Sequence, residues 1–139
     1  MNSSILVRWL GRLVIVAVIA LFTMVGLKFV MDPVSAASGS GFSLASAVGF
    51  TNARAGIGGF PLSIATLLAF CLMSGRQRLA LGFIVTVSAI ILSLRLFSAA
   101  HDGTFLESLH IIVPEFVVLG LASLALRLEA AVRVAHAPS

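Results

Sequence analysis

Residues 13–30 read LVIVAVIALFTMVGLKFV, an apolar run whose one charge, Lys28, falls near its end. A helix rises ~1.5 Å per residue, so such a run covers most of the ~30 Å hydrocarbon layer of a bilayer. Three comparable runs follow at 56–73, 79–94 and 111–126. Four spanning helices use up most of the 139 residues, which leaves length for one domain and little else. The expected fold class is all-α, an integral membrane four-helix bundle. Its helices are expected at about 9–31, 55–73, 79–99 and 106–128, with an outer loop over 32–54.

Composition points the same way. Hydrophobic residues make up 60% of the chain and charged residues 10%, and the mean hydropathy is +1.16; a soluble domain is about a quarter charged. The formal net charge is +4, yet the basic residues come in pairs at helix ends and form no stripe, so no nucleic-acid partner is expected. Arg8 and Arg12 precede the first run, Arg76 and Arg78 lie between the second and third, and Arg127 and Arg133 follow the fourth. With four spans these segments share a side, and the positive-inside rule makes that side, and both termini, cytoplasmic. Arg8 and Arg12 also fit the n-region of a signal peptide with Val34-Ser35-Ala36 as cleavage site, but the apolar stretch through Val30 exceeds the ~7–15 residues of an h-region. A retained first helix is the expectation.

Asp32-Pro33 ends the first helix, and Lys28 can snorkel to the interface from its last turn. The 34–53 segment is rich in Ser, Ala and Gly but carries Phe42, Leu44, Val48 and Phe50, which points to a short helix or lid over 42–50 at the outer mouth. Ala55, Gly59 and Ser63 form a small-residue stripe suited to close helix approach. Thr86, Ser88 and Ser93 can bond to backbone, Asp102-Gly103 makes a turn, and Pro114 should kink or break the fourth helix. Cys71 is alone, which excludes an intrachain disulfide or CxxC pair and suits a small buried apolar residue.

The chemistry gathers in a polar cluster expected on the outer side: Asn52, Arg54, Gly58, Gly59, Arg95, Ser98, Asp102 and Glu115. An ionisable residue within a membrane costs about 2.5–3.5 kcal/mol at the helix centre, so such residues face inward and pair. Glu115 is expected to pair with Arg95 or Arg54, with Asp102 and Asn52 completing the network. Such pairs either lock helix register or line a pocket in which a guanidinium fork takes a carboxylate or phosphate beside bare glycine backbone. His101 and His110 with Asp102, Glu107 or Glu115 lack metal-ligand spacing, and no nucleophile motif surrounds Ser98 or Ser108. No catalytic residue, metal or cofactor is expected.

The order Asn52-x-Arg54-x-x-x-Gly58-Gly59, then Arg95-x-x-Ser98-x-x-x-Asp102-Gly103, then Glu115 resembles a family of small bacterial four-helix membrane proteins. That family is catalogued as a domain of unknown function of the 4345 type and is similar in layout to the DoxX-like proteins. The resemblance covers nearly the whole chain. It implies a multi-pass protein of the bacterial inner membrane, with membrane accessory roles and, in some DoxX-like branches, redox-linked complexes; the missing cysteine pair speaks against the redox role. The expectation is therefore a non-catalytic membrane protein whose partners are the lipid bilayer and either a lipid-like or small anionic ligand or another membrane protein. A homo-oligomer is the further partner it allows. A small transporter or channel formed by an oligomer is the alternative; no internal repeat or pair of interrupted helices supports it in the single chain.

Overall fold

The structure, a computed structural model, describes residues 3–135, with side chains from 5 to 132. Arg133, counted above among the flanking arginines, has its side chain outside the described residues. Every regular element among the described residues is helical. In chain order these are α1 (Ser3–Met31), α2 (Pro33–Gly39), α3 (Ala47–Asn52), a π-helical segment (Ala53–Gly58), α4 (Gly59–Met73), α5 (Gln77–His101) and α6 (Phe105–Ala135). Four stretches of 25 to 28 residues, Ile5–Met31, Ala47–Met73, Gln77–His101 and Phe105–Val132, are long and apolar enough to cross a membrane. No more than 28% of any of their apolar windows is buried. Phe60, Phe70, Leu94, Phe97 and Leu106 all stand outward, a surface that suits a lipid solvent better than water.

The helix ends follow from a few residues. Pro33 has no N–H to extend α1 and restricts Asp32 before it, so α1 stops at Met31. Asp32 then caps α2, its carboxylate accepting from the Ser35 amide at 3.1 Å, with Pro33 at the first helical position. Gly41, Gly75 and Gly103 alone have positive φ among the described residues, at 83°, 69° and 68°. Each follows a helix in the same way: the next amide reaches back five residues, Phe42 to the Ala37 carbonyl, Arg76 to Cys71 and Thr104 to Ala99, at 2.8–3.1 Å. These are Schellman closures, which need a left-handed residue that glycine supplies without strain.

The segment expected as an outer loop over 32–54 is thus largely helical. α2 occupies its first half, and α3, capped by Ser46 through the Gly49 amide at 3.1 Å, runs straight into the second long helix. That helix begins at Ala47 rather than near 55 because nothing in Ala53–Gly58 breaks hydrogen bonding; the turn only widens, the Gly59 amide donating to the Arg54 carbonyl five residues back. α6 likewise continues through Pro114 to Ala135.

The chain divides into two compact units, residues 1–15 with 71–139 and residues 16–70. In the first, α5 and α6 pack along each other, antiparallel because only Asp102–Thr104 joins them. Leu92, Ala99 and Ile112 are buried between them with Leu96 and Leu119 alongside. The start of α1 joins this unit through Gly11, where a β-carbon would strike the Gln77 amide group, and through Gln77 Nε2 donating to the Arg8 carbonyl at 3.0 Å. Cys71 is buried here, as its apolar setting requires.

In the second unit Phe29, Ala37 and Ala53 form one buried cluster, flanked by Val25, Ala36 and Leu44. Phe42 stacks on Phe29 with ring centroids 6.2 Å apart. The Phe42 and Leu44 side chains therefore fold back on the end of α1 and α2, while Val48 on α3 points outward.

Candidate functional site

Arg95 lies on α5, nearly two turns before the helix ends, and Glu115 lies on α6 nearly three turns beyond its start. The antiparallel hairpin brings them together. Arg95 Nε donates to Glu115 Oε2 at 2.9 Å, and Nη2 stands 2.9 Å from Oε1. This is a bidentate pair, the strongest geometry open to a guanidinium and a carboxylate. The Arg95 side chain is 35% exposed and that of Glu115 23%, so the pair is neither sealed in the core nor free on the surface. Two of the five guanidinium N–H donors serve Glu115; Nη1 takes part in neither contact.

A groove of about 420 Å³ opens beside this pair, lined by Arg95, Ser98, Thr104 and Ser108 with Ile91 and Leu94 as its apolar wall. Ser98, one turn beyond Arg95, donates through Oγ to Asp102 Oδ2 at 3.1 Å. Thr104 and Ser108 come from the residue before α6 and from its first turn, and neither belongs to the polar cluster expected from the sequence. The groove therefore offers guanidinium and hydroxyl donors next to apolar surface. The charge of Arg95 is balanced by Glu115, so what it presents is hydrogen-bonding capacity more than net charge. Among the described residues no three His, Cys, Asp or Glu side chains stand close enough to hold a metal ion. His110 turns Nδ1 to the Glu107 carbonyl at 2.7 Å, within its own helix.

Of the remaining expected site residues, Asn52, Arg54, Gly58 and Gly59 belong to the second unit. Arg54 Nε donates to the Val30 carbonyl at the end of α1, at 3.2 Å. That carbonyl is one of the last four of its helix, which lack intrahelical donors. Gly58 is buried against α1: a β-carbon there would lie 2.9 Å from Val30 Cγ2 and 3.1 Å from the Gly26 carbonyl oxygen. Its bareness serves helix packing. Gly26, not singled out in the sequence, is the matching position, where a β-carbon would meet the Gly58 carbonyl oxygen at 2.8 Å. The close contact thus runs through Gly26 and Gly58, while Ala55 and Ser63 of the expected stripe are exposed. Ala55 lies inside the π segment, so the four-residue spacing of the expected stripe does not repeat one face across it. Asn52 is exposed at the end of α3, and Gly59 opens α4.

Several of the hydroxyls inside the helices are occupied locally. Thr66, Thr86 and Ser93 each donate to the carbonyl four residues back, at 2.7–3.0 Å, and need no ligand. Compared with known protein families, curated proteins and solved structures, the chain shows no significant match to any of them.

Proposed function

We propose that the chain is a non-catalytic, four-span integral membrane protein of the bacterial inner membrane, with both termini cytoplasmic. It holds a lipid-like or small anionic ligand in the groove beside Arg95, which opens toward the periplasmic leaflet. The observation that carries this reading is the partly exposed, bidentate Arg95–Glu115 pair bordered by Ser98, Thr104 and Ser108. A pair that served only to fix helix register needs no groove of hydroxyl donors beside it. Here the acid orients the guanidinium, and the unused donors face a groove with room for a polar headgroup. Apolar Ile91 and Leu94 beside those donors suit an amphiphile. The order of motif residues supports a place beside the domain-of-unknown-function family named above.

Native mass spectrometry of the chain extracted in mild detergent tests this, beside Arg95→Lys prepared identically. Lysine keeps the charge and loses the fork. A stoichiometric small mass on the native chain, absent from the variant at equal thermal stability, is the expected result. A bare native chain contradicts it.

A second reading, an accessory subunit or an oligomer that includes a small transporter or channel, rests on Gly56, Gly82 and Gly120. A β-carbon at any of these three would meet nothing within 4 Å, and small residues facing outward in a membrane let a further helix approach closely. A second polypeptide in the same spectra would favour it.

A further inference from the structure

Four arginines from two separate stretches of chain line one cavity at the other end of the first unit. Arg8 and Arg12 come from α1, Arg76 and Arg78 from the start of α5, and α6 contributes Glu129, the one acidic residue of the lining. The cavity holds about 310 Å³, the low end of the range for small-molecule sites and the size of a headgroup rather than a whole lipid. Topology signalling requires basic residues on one side of the membrane; it does not require them to converge on one hollow.

The start of α5 adds a second oddity. A helix N-terminus carries partial positive charge and unpaired amides, and it favours Asp, Ser or an anion. α5 instead has the cation Arg76 at its cap position, no side-chain cap, no acidic residue in its first turn, and Arg78 one residue inside. Both charges have the wrong sign for the helix dipole. A bound anion would reverse that, meeting the free amides and the guanidinium groups together. Among the described residues none of the four arginines is in an ion pair. Arg12 is held over the Trp9 ring at 5.6 Å, and Gln77, tied to the Arg8 carbonyl at 3.0 Å, braces the wall.

The surroundings are those of a membrane boundary. Leu79 begins the apolar run of α5, and Leu72 lies under the cavity; Leu79 and Met73 are widely exposed beside it. We infer that this cavity binds the phosphate of an anionic phospholipid in the arginine-rich leaflet, its acyl chains lying along the outward apolar faces at Met73 and Leu79. The use of arginine at all four positions fits, since the guanidinium fork matches phosphate oxygens in pairs. This site is independent of the groove at Arg95.

The test titrates the full chain in detergent with dioleoyl phosphatidylglycerol, dioleoyl phosphatidylcholine or inorganic phosphate, read by native mass spectrometry. The expected result is one tightly held phosphatidylglycerol, no matching phosphatidylcholine, and a loss of about 30-fold in affinity for the Arg76→Gln/Arg78→Gln variant. Arg127→Gln, outside the cavity, keeps the wild-type affinity. Equal retention of the two lipids by the native chain overturns the inference and depends on no variant folding. So does wild-type phosphatidylglycerol affinity in the double variant. Inorganic phosphate that binds one-to-one and blocks phosphatidylglycerol would assign the cavity to the free ion and overturn the lipid.

Discussion

Arg95 and Glu115 lie between two energetic regimes, because exposed ion pairs are worth about 0–1 kcal/mol and breaking a buried one costs about 3–5 kcal/mol. At 35% and 23% exposure, Glu115→Ala is expected to destabilise by about 1–3 kcal/mol, measured by chemical unfolding in detergent micelles. The Arg95→Met/Glu115→Leu double variant should regain at least half of that, since it leaves no charge unpaired. Gly26→Ala and Gly58→Ala should each cost about 1–3 kcal/mol, because beside the side-chain atoms of Leu62 and Val30 at 2.6 and 2.9 Å stand backbone oxygens at 2.8 and 3.1 Å that cannot swing aside. Gly56→Ala meets open space and should be neutral or raise the melting temperature by the helix propensity of alanine. The sequence made the need for a basic partner plain, as Glu115 stands in an apolar run. It left Arg95 and Arg54 as equal candidates, because only the hairpin geometry brings residues twenty apart face to face. Gly26 was illegible for the same reason: a lone glycine in a helix gives no sign of which backbone it approaches.

The helix stops at Met31 and Met73 were the most readable features and the π-turn the least. Gly75 and Gly103 sit beside turn residues, and both prove to be left-handed closures. Gly75→Ala and Gly103→Ala should each lower stability by about 1 kcal/mol, with Asn at either position costing less, since asparagine tolerates the left-handed region; thermal melts of the four variants would check this. The α2 start had its signature in Asp32-Pro33, a cap followed by proline at the first position, but the Ser, Ala and Gly content after it read as loop. Ala-Arg-Ala-Gly-Ile-Gly at 53–58 has no local feature that distinguishes a π-turn from an α-turn. Its stabilisation is tertiary, from Arg54 on the Val30 carbonyl and Gly58 against Gly26. Arg54→Met, which keeps the apolar stem and removes the donor, should therefore speed amide exchange selectively over 53–59.

For the whole molecule, the class of fold was legible from composition because few soluble arrangements could bury 60% hydrophobic residues in so short a chain. The four apolar helices emerged where the runs predicted them and extend past the apolar stretches. The proposed orientation rests on where arginines fall, and every functional statement depends on it: the Arg95 groove must open on one side and the arginine cavity on the other. Cysteine labelling of intact cells with a membrane-impermeant maleimide tests this most directly, with the buried Cys71 of the native chain as baseline. Ser40→Cys and Thr104→Cys should label before lysis, and Ser74→Cys only after the membrane is opened. Labelling of Ser74→Cys in intact cells, with Ser40→Cys and Thr104→Cys protected, would contradict the orientation, and labelling of all three would contradict the four spans.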